Sequence, residues 1–179
     1  MFKVASNFIK KWEGFESSPY LCPANKLTIG YGTIIDPKVK YNNVLGEILL
    51  EDSLNLQKQL RIRSRVNSNL KNKYPNLVSE IEATEFMIID LKKRWKFIAE
   101  YLPKGLTDNQ CASLLSLAYN IGVDSFRKST LVKLLQSNNM IGASNEFIKW
   151  NKARISGRLT ELKGLTDRRL KEKELFLKV

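Results

Sequence analysis

The sequence predicts an α+β protein, mainly α: a small N-terminal β-sheet and a helical C-terminal lobe, joined by one long helix. Three observations carry this reading. Leu77, Ile81, Thr84, Ile88, Leu91, Trp95, Ile98 and Leu102 follow at alternating intervals of four and three, the period of an amphipathic helix with one polar intruder, Thr84. Leu27 to Thr33 alternates like a strand. Thr107-Asp-Asn-Gln110 has the form of a capping box, and apolar residues at helical spacing come after it.

In chain order, Val4, Ala5, Phe8, Ile9 and Trp12 share one helical face, and Gly14 is a natural stop. Residues 18–35 read as short strands and turns, with turn chemistry at Pro23-Ala24-Asn25-Lys26. Leu45, Ile48, Leu49, Leu56 and Leu60 suggest a second helix. The long helix is expected from a cap at Asn76 to a stop at Pro103 and Gly105, on the order of 40 Å. After the capping box come Ala112, Leu114, Leu115, Ala118 and Tyr119, with an end near Gly122. Ser129 is placed to cap a helix carrying Leu131, Leu134 and Leu135. Phe147 and Trp150 belong to a further helix, and the last begins after Thr166 with Leu170, Leu175 and Phe176. The expected organisation of residues 1–179 is a single domain. An N-terminal lobe covers about 13–60, a connecting helical region about 61–103, and a C-terminal helical lobe about 104–179 with the first helix.

The chain carries 30 Lys and Arg against 18 Asp and Glu, a net +12. A basic surface favours a polyanion such as nucleic acid, anionic lipid or a cell-wall polymer. No nucleic-acid motif accompanies the charge, so nucleic acid is not the expected partner. Residues 151–179 hold nine basic and four acidic groups. Cys22 and Cys111 are too few for a disulfide framework, and the absence of His argues against zinc. No metal or cofactor is expected. MFKVASNFIKKW lacks a signal-peptide core, and no apolar run approaches a membrane span. Synthesis in the cytoplasm and no stable membrane insertion are therefore expected.

The chemistry concentrates in WEGFESSPYLCPANKLTIGYGT, residues 12–33. Glu13 falls at the expected end of the first helix. The negative end of the helix dipole and the apolar Trp12 would both favour its protonated form, the state a glycosidase needs to protonate a leaving oxygen. Alternation puts Leu27, Ile29 and Tyr31 on one strand face and Thr28, Gly30 and Gly32 on the other. Such a bare face asks for a reason: a sugar ring lying on it, or a bulge or tight bend. Glu16, just before Ser17-Ser18-Pro19, reads as a solvated loop carboxylate, and Cys111 as a core residue.

The segment resembles the phage lysozyme and endolysin family, glycoside hydrolase family 24, in which Glu, eight residues, Asp or Cys, five residues and Thr recur. Here these are Glu13, Cys22 and Thr28. Tyr20, Thr28-Ile-Gly-Tyr-Gly32, Leu106 to Gln110, Leu117 to Gly122, Phe126 to Leu131 and Gly164 to Arg169 also look like the family's. A histidine commonly comes after Gly-Tyr-Gly there; this chain has Thr33. Residues 61–95 are longer and more charged than a typical connecting region.

The resemblance implies a two-lobed lysozyme-like fold and a monomeric enzyme cutting the β-1,4 bond between N-acetylmuramic acid and N-acetylglucosamine of bacterial peptidoglycan. It would reach the wall or periplasm after release. By the same resemblance Glu13 is the general acid, and Cys22 the second catalytic group as base or nucleophile. Thr28 positions water or sugar, and Tyr119, Asn120 and Ser129 line the groove with Gly30 and Gly32; Tyr119 reads equally as a core aromatic. Two other readings stay open: a lytic transglycosylase giving 1,6-anhydro products, with Glu13 acting alone, and a catalytically dead cationic wall-binding protein.

Overall fold

The computed structural model describes residues 1–22, 26–35, 63–155 and 157–178. The expected helix over Leu45–Leu60 and most of the turn at residues 23–26 lie outside the described residues. The chain divides into two compact units. One comprises Glu13–Asp90; the other comprises Met1–Trp12 with Leu91–Val179.

The Glu13–Asp90 unit opens with an antiparallel three-stranded meander: β1 (Glu16–Leu21), β2 (Leu27–Gly30) and β3 (Thr33–Ile34). Tyr20 faces Thr28 and Leu21 faces Leu27 across β1 and β2, with an irregularity between Glu16 and Tyr20. Leu21, Leu27, Ile29 and Tyr31 are buried. Helix α2 (Arg63–Lys73) packs on β1. It is polar apart from Val66 and Leu70, spaced by four so that both are buried. Between them Asn67 works as a strand mimic. Its amide oxygen accepts from Leu21 N at 2.7 Å and its amide nitrogen donates to Leu21 O at 3.4 Å.

The long helix α3 runs Glu80–Ile98, 19 residues, or about 28 Å. The expected start at Asn76 is corrected, and the reason is tertiary. Val78 N donates to Ser17 O at 3.1 Å and the Ser17 hydroxyl donates to Asn76 Oδ1 at 3.0 Å, which pins this stretch against β1. Asn76 takes φ 50°. The cap is instead a box made by Ser79 and Glu82. Ser79 N donates to Glu82 Oε2 at 2.9 Å, and Glu82 N donates to the Ser79 hydroxyl at 3.3 Å. The buried stripe is Ala83, Met87, Leu91 and Ile98, while Ile81, expected inside, is 74% exposed. Thr84, the polar intruder, donates its hydroxyl to Glu80 O at 2.7 Å. A 3-10 turn (Ala99–Tyr101) comes next, and Leu102 becomes extended ahead of Pro103.

In the other unit, α1 (Phe2–Ile9) packs on α4 (Asp108–Ile121), the core helix. Both bonds of the Thr107–Gln110 capping box are present, every residue from Cys111 to Ala118 is buried, and α4 stops at Gly122 with φ 87°. Helix α5 (Val123–Arg127) comes directly after it. Helices α6 (Thr130–Gln136) and α7 (Met140–Glu146) are capped by the side chains of Ser129 and Asn139. A 3-10 turn (Phe147–Trp150) leads into a hairpin that no pattern in the sequence announces, β4 (Lys152–Ile155) and β5 (Arg158–Glu161). Helix α8 (Lys163–Leu177) begins a turn earlier than expected and packs along α4, and Phe176 meets Phe147 with ring centroids 5.7 Å apart.

Between α4 and α8 lies a buried charge cluster. Glu172 Oε1 lies 3.2 Å from Arg168 Nε and 2.8 Å from Arg169 Nη2, and Glu172 Oε2 lies 2.7 Å from Arg169 Nε. The Ser116 hydroxyl donates to Glu172 Oε1 at 2.6 Å. Burial pushes the Glu172 carboxyl up, against the opposing pull of Arg169 and Arg168.

Candidate active site

Helix α1 does not reach Glu13. It ends at Ile9 with Lys10 as its cap, and one further turn closes through Lys11 N to Phe8 O (3.2 Å) and Trp12 N to Ile9 O (2.9 Å). Glu13 therefore lies beyond the last turn of the helix, whereas the sequence places it at the helix end. Aromatic packing anchors the chain just after Glu13. Phe15 packs on Tyr31 (5.3 Å between centroids), and the Tyr31 hydroxyl donates to Glu80 Oε2 at 2.9 Å.

A cavity of about 400 Å³ opens here, and Glu13, Glu16, Tyr20, Gly32, Asn67 and Lys71 are among its walls. Glu13 is half-buried and Glu16 exposed. Glu16 is solvated as expected, but it begins β1 where a loop was expected and lines the cavity with Glu13. Tyr20 shares it too. Its phenol is pushed up by burial and by the negative potentials of Cys22, Glu13 and Glu16. Cys22, half-buried and in no disulfide, acts on Tyr20 but is not itself part of the cavity wall.

Thr28 is directly across the strand pair from Tyr20 but is only 2% exposed. Its hydroxyl donates to Lys26 O at 2.9 Å, the same carbonyl that accepts from Cys22 N at 3.0 Å. Thr28 and Cys22 are therefore coupled through one acceptor. Thr28 is not among the residues that line this cavity.

The bare-face reading of the glycines is corrected in part. All four residues of β2 are buried, and Gly30 takes φ 64° with Ala83 of α3 in the place of a side chain. Its missing side chain admits a helix, not a ligand. Gly32, with φ 85°, does line the cavity.

The other expected groove residues belong to the second unit. Tyr119 is half-buried beneath the Arg94 guanidinium, 4.8 Å from the ring centroid. Asn120 is exposed, and its side-chain oxygen accepts from Arg169 Nη1 at 3.1 Å. Ser129 is buried and its hydroxyl accepts from Val132 N, the helix cap the sequence places there. Among the described residues no group of three His, Cys, Asp or Glu side chains could hold a metal ion.

Sequence reasoning passed over Asn67 and Lys71. Their signal was faint: a polar helix with only two apolar residues a turn apart.

A mainly helical chain with a small sheet and an acid at its N-terminal edge is the class of fold found in lysozymes. The phage lysozyme family model matches residues 10–172, and the chain belongs to that family. Among its relatives is an endolysin of Acyrthosiphon pisum secondary endosymbiont phage 1, 30% identical over 168 residues that cover 94% of this chain and 91% of that protein. Among solved structures, an endolysin from Escherichia coli O157:H7 phage FAHEc1 superposes with a TM-score of 0.69 at 24% identity, covering 98% of this chain and 92% of that one. The muramidase domain of SpmX from Asticaccaulis excentricus gives 0.71 at 21% identity, covering 99% and 97%. Family membership makes the protein a glycoside hydrolase of the lysozyme class.

Proposed function

We propose that the enzyme acts as a monomer on bacterial peptidoglycan, hydrolysing the β-1,4 bond between N-acetylmuramic acid and N-acetylglucosamine, with Glu13 as general acid. The observation that carries this is the cavity that half-buried Glu13 shares with Glu16 and Tyr20. Glycoside hydrolysis needs one group to protonate the leaving oxygen and a second to take a proton from water or to attack the sugar. Glu13 gives its proton to the glycosidic oxygen. In the inverting form the second group takes a proton from water as the water oxygen bonds to C1. In the retaining form the second group attacks C1 as the bond from C1 to the protonated glycosidic oxygen breaks, and water that gives its proton to Glu13 then displaces that group from C1.

Cys22 is the second group by the spacing it shares with the family. Glu16 is the second reading, favoured by its place on the cavity wall. Thr28 supports Cys22 through Lys26 O.

The test is digestion of purified walls with mass analysis of the released sugars. General acid catalysis typically contributes 10²–10⁴-fold, so Glu13→Gln should lose rate of that order while remaining folded. Near-parental turnover in that variant would end the proposal. Cys22→Ser against Glu16→Gln assigns the second group: the one whose loss collapses turnover holds the role. Cys22→Asp should retain activity if the family spacing governs. Products that have gained a water mark hydrolysis, whereas anhydro sugars mark transglycosylation.

A further inference from the structure

The β4–β5 hairpin stands apart from the packing logic of the rest of its unit. Among the described residues its strands pair only with each other. Every residue of β5 is exposed, and in β4 only Ala153 is half-buried. A lone two-stranded hairpin is marginally stable in water. This one is held at its base, where Leu162 N donates to Asn151 O at 3.0 Å, and near its turn, where Arg154 Nη1 donates to Gly157 O at 3.0 Å.

The composition of its outer end is specific. Arg154 faces Leu159 and Ile155 faces Arg158 across the ladder. Side chains directly opposite share a face, and successive pairs alternate faces. Each face of the tip therefore carries one aliphatic side chain and one guanidinium. Ile155 is 49% and Leu159 66% exposed. The hairpin's acid, Glu161, lies at the base and pairs with Lys152 at 3.4 Å, which leaves the two arginines at the tip without a nearby strand carboxylate.

We propose that this tip docks end-on onto an anionic phospholipid bilayer, with Ile155 and Leu159 at the acyl boundary and Arg154 and Arg158 on headgroup phosphates. Charge complementarity selects an anionic surface, and guanidinium geometry suits phosphate oxygens. The aliphatic pair separates a bilayer from the sugar polymer of the wall, which offers no hydrocarbon to bury Ile155 and Leu159. Their position on opposite faces separates it from a protein groove, which would cover one face and leave the other wet. Entry of the tip buries both at once. Strands of four residues are far short of the 9–11 that a membrane-spanning strand needs, so the contact is superficial. No helix among the described residues is long and apolar enough to cross a membrane.

The experiment is co-sedimentation of the full chain with phosphatidylglycerol–phosphatidylcholine vesicles and with pure phosphatidylcholine vesicles, beside a parallel assay of turnover on lipid-free peptidoglycan. The parent should bind the anionic vesicles and not the neutral ones. Each of Arg154→Ala and Arg158→Ala should weaken binding about fivefold. The pair Ile155→Ser with Leu159→Ser should weaken it at least tenfold at unchanged net charge, and Leu159→Trp should tighten it. Lys171→Ala, remote in sequence on α8, should change it less than twofold. Turnover on lipid-free walls should stay at the parental value throughout, reporting that each variant is folded. Binding unaltered by the serine pair, or equal losses from Lys171→Ala and Arg154→Ala, would overturn the proposal, as would binding to neutral and anionic vesicles alike. Loss of turnover in Glu13→Gln bears only on the catalytic reading, so the two fail separately.

Discussion

A β-carbon added to Gly30 would fall 2.6 Å from Cβ of Ala83, with the backbone at φ 64°. Strand β2 and helix α3 thus meet closely at Gly30 and Ala83, where neither has a side chain beyond a methyl. Gly30→Ala should destabilise the protein by about 1–3 kcal/mol through overpacking, on top of the strain of a left-handed backbone. Ala83→Gly in the same chain should recover the overpacking part and leave the strain. Urea denaturation of both variants checks this. A Gly30→Ala protein as stable as the parent would show that the contact relaxes freely.

In the buried cluster on α8, Glu172 pairs with two guanidiniums, all three residues at most 3% exposed. Glu172→Gln keeps the shape but leaves Arg168 and Arg169 buried without this counter-charge, a loss of about 3–5 kcal/mol. Thermal melts should show a drop of roughly 6–20 °C at the scaling for a chain of this size. Asn120 is held by Arg169, so the same variant should loosen its side chain.

Thr33 is 1% exposed, and its hydroxyl has no hydrogen-bond partner among the described residues. A buried unpaired hydroxyl costs free energy that a methyl of the same shape does not. Thr33→Val should therefore be neutral or stabilising by up to about 1 kcal/mol. Its urea midpoint should sit at or above the parent's.

The Tyr31 phenol is pushed up to about 12 by burial and by its bond to Glu80, from an ordinary value of 10.0. Its folded value lies above its unfolded one, so the stability it contributes is fully present below pH 10 and is lost as pH rises from 10 towards 12. The parent should show an alkaline loss of stability in that window. Tyr31→Phe should be less stable near neutrality by about 1–2 kcal/mol and should lack that component of the alkaline loss. Denaturation midpoints taken at intervals across that window and below it separate the two curves.

What the sequence determined by itself was local or periodic. The Thr107–Gln110 box, the apolar run of α4, the cap at Ser129 and the spacing of Glu13, Cys22 and Thr28 are all readable from neighbours a few residues apart, because capping, periodicity and family spacing are short-range. The tertiary structure decided what depends on distant partners. Helix α3 starts at Glu80 because β1 claims Asn76 and Val78 by hydrogen bonds between residues far apart in the chain. Gly30 is bare because Ala83 comes to it, which no alternation pattern in β2 could reveal. Glu16 joins Glu13 on one cavity wall because the cavity closes around β1 and α2, and Asn67 fixes α2 to Leu21. The β4–β5 hairpin escaped notice because its strands lack a buried face, and the alternation that announces a strand is written by burial.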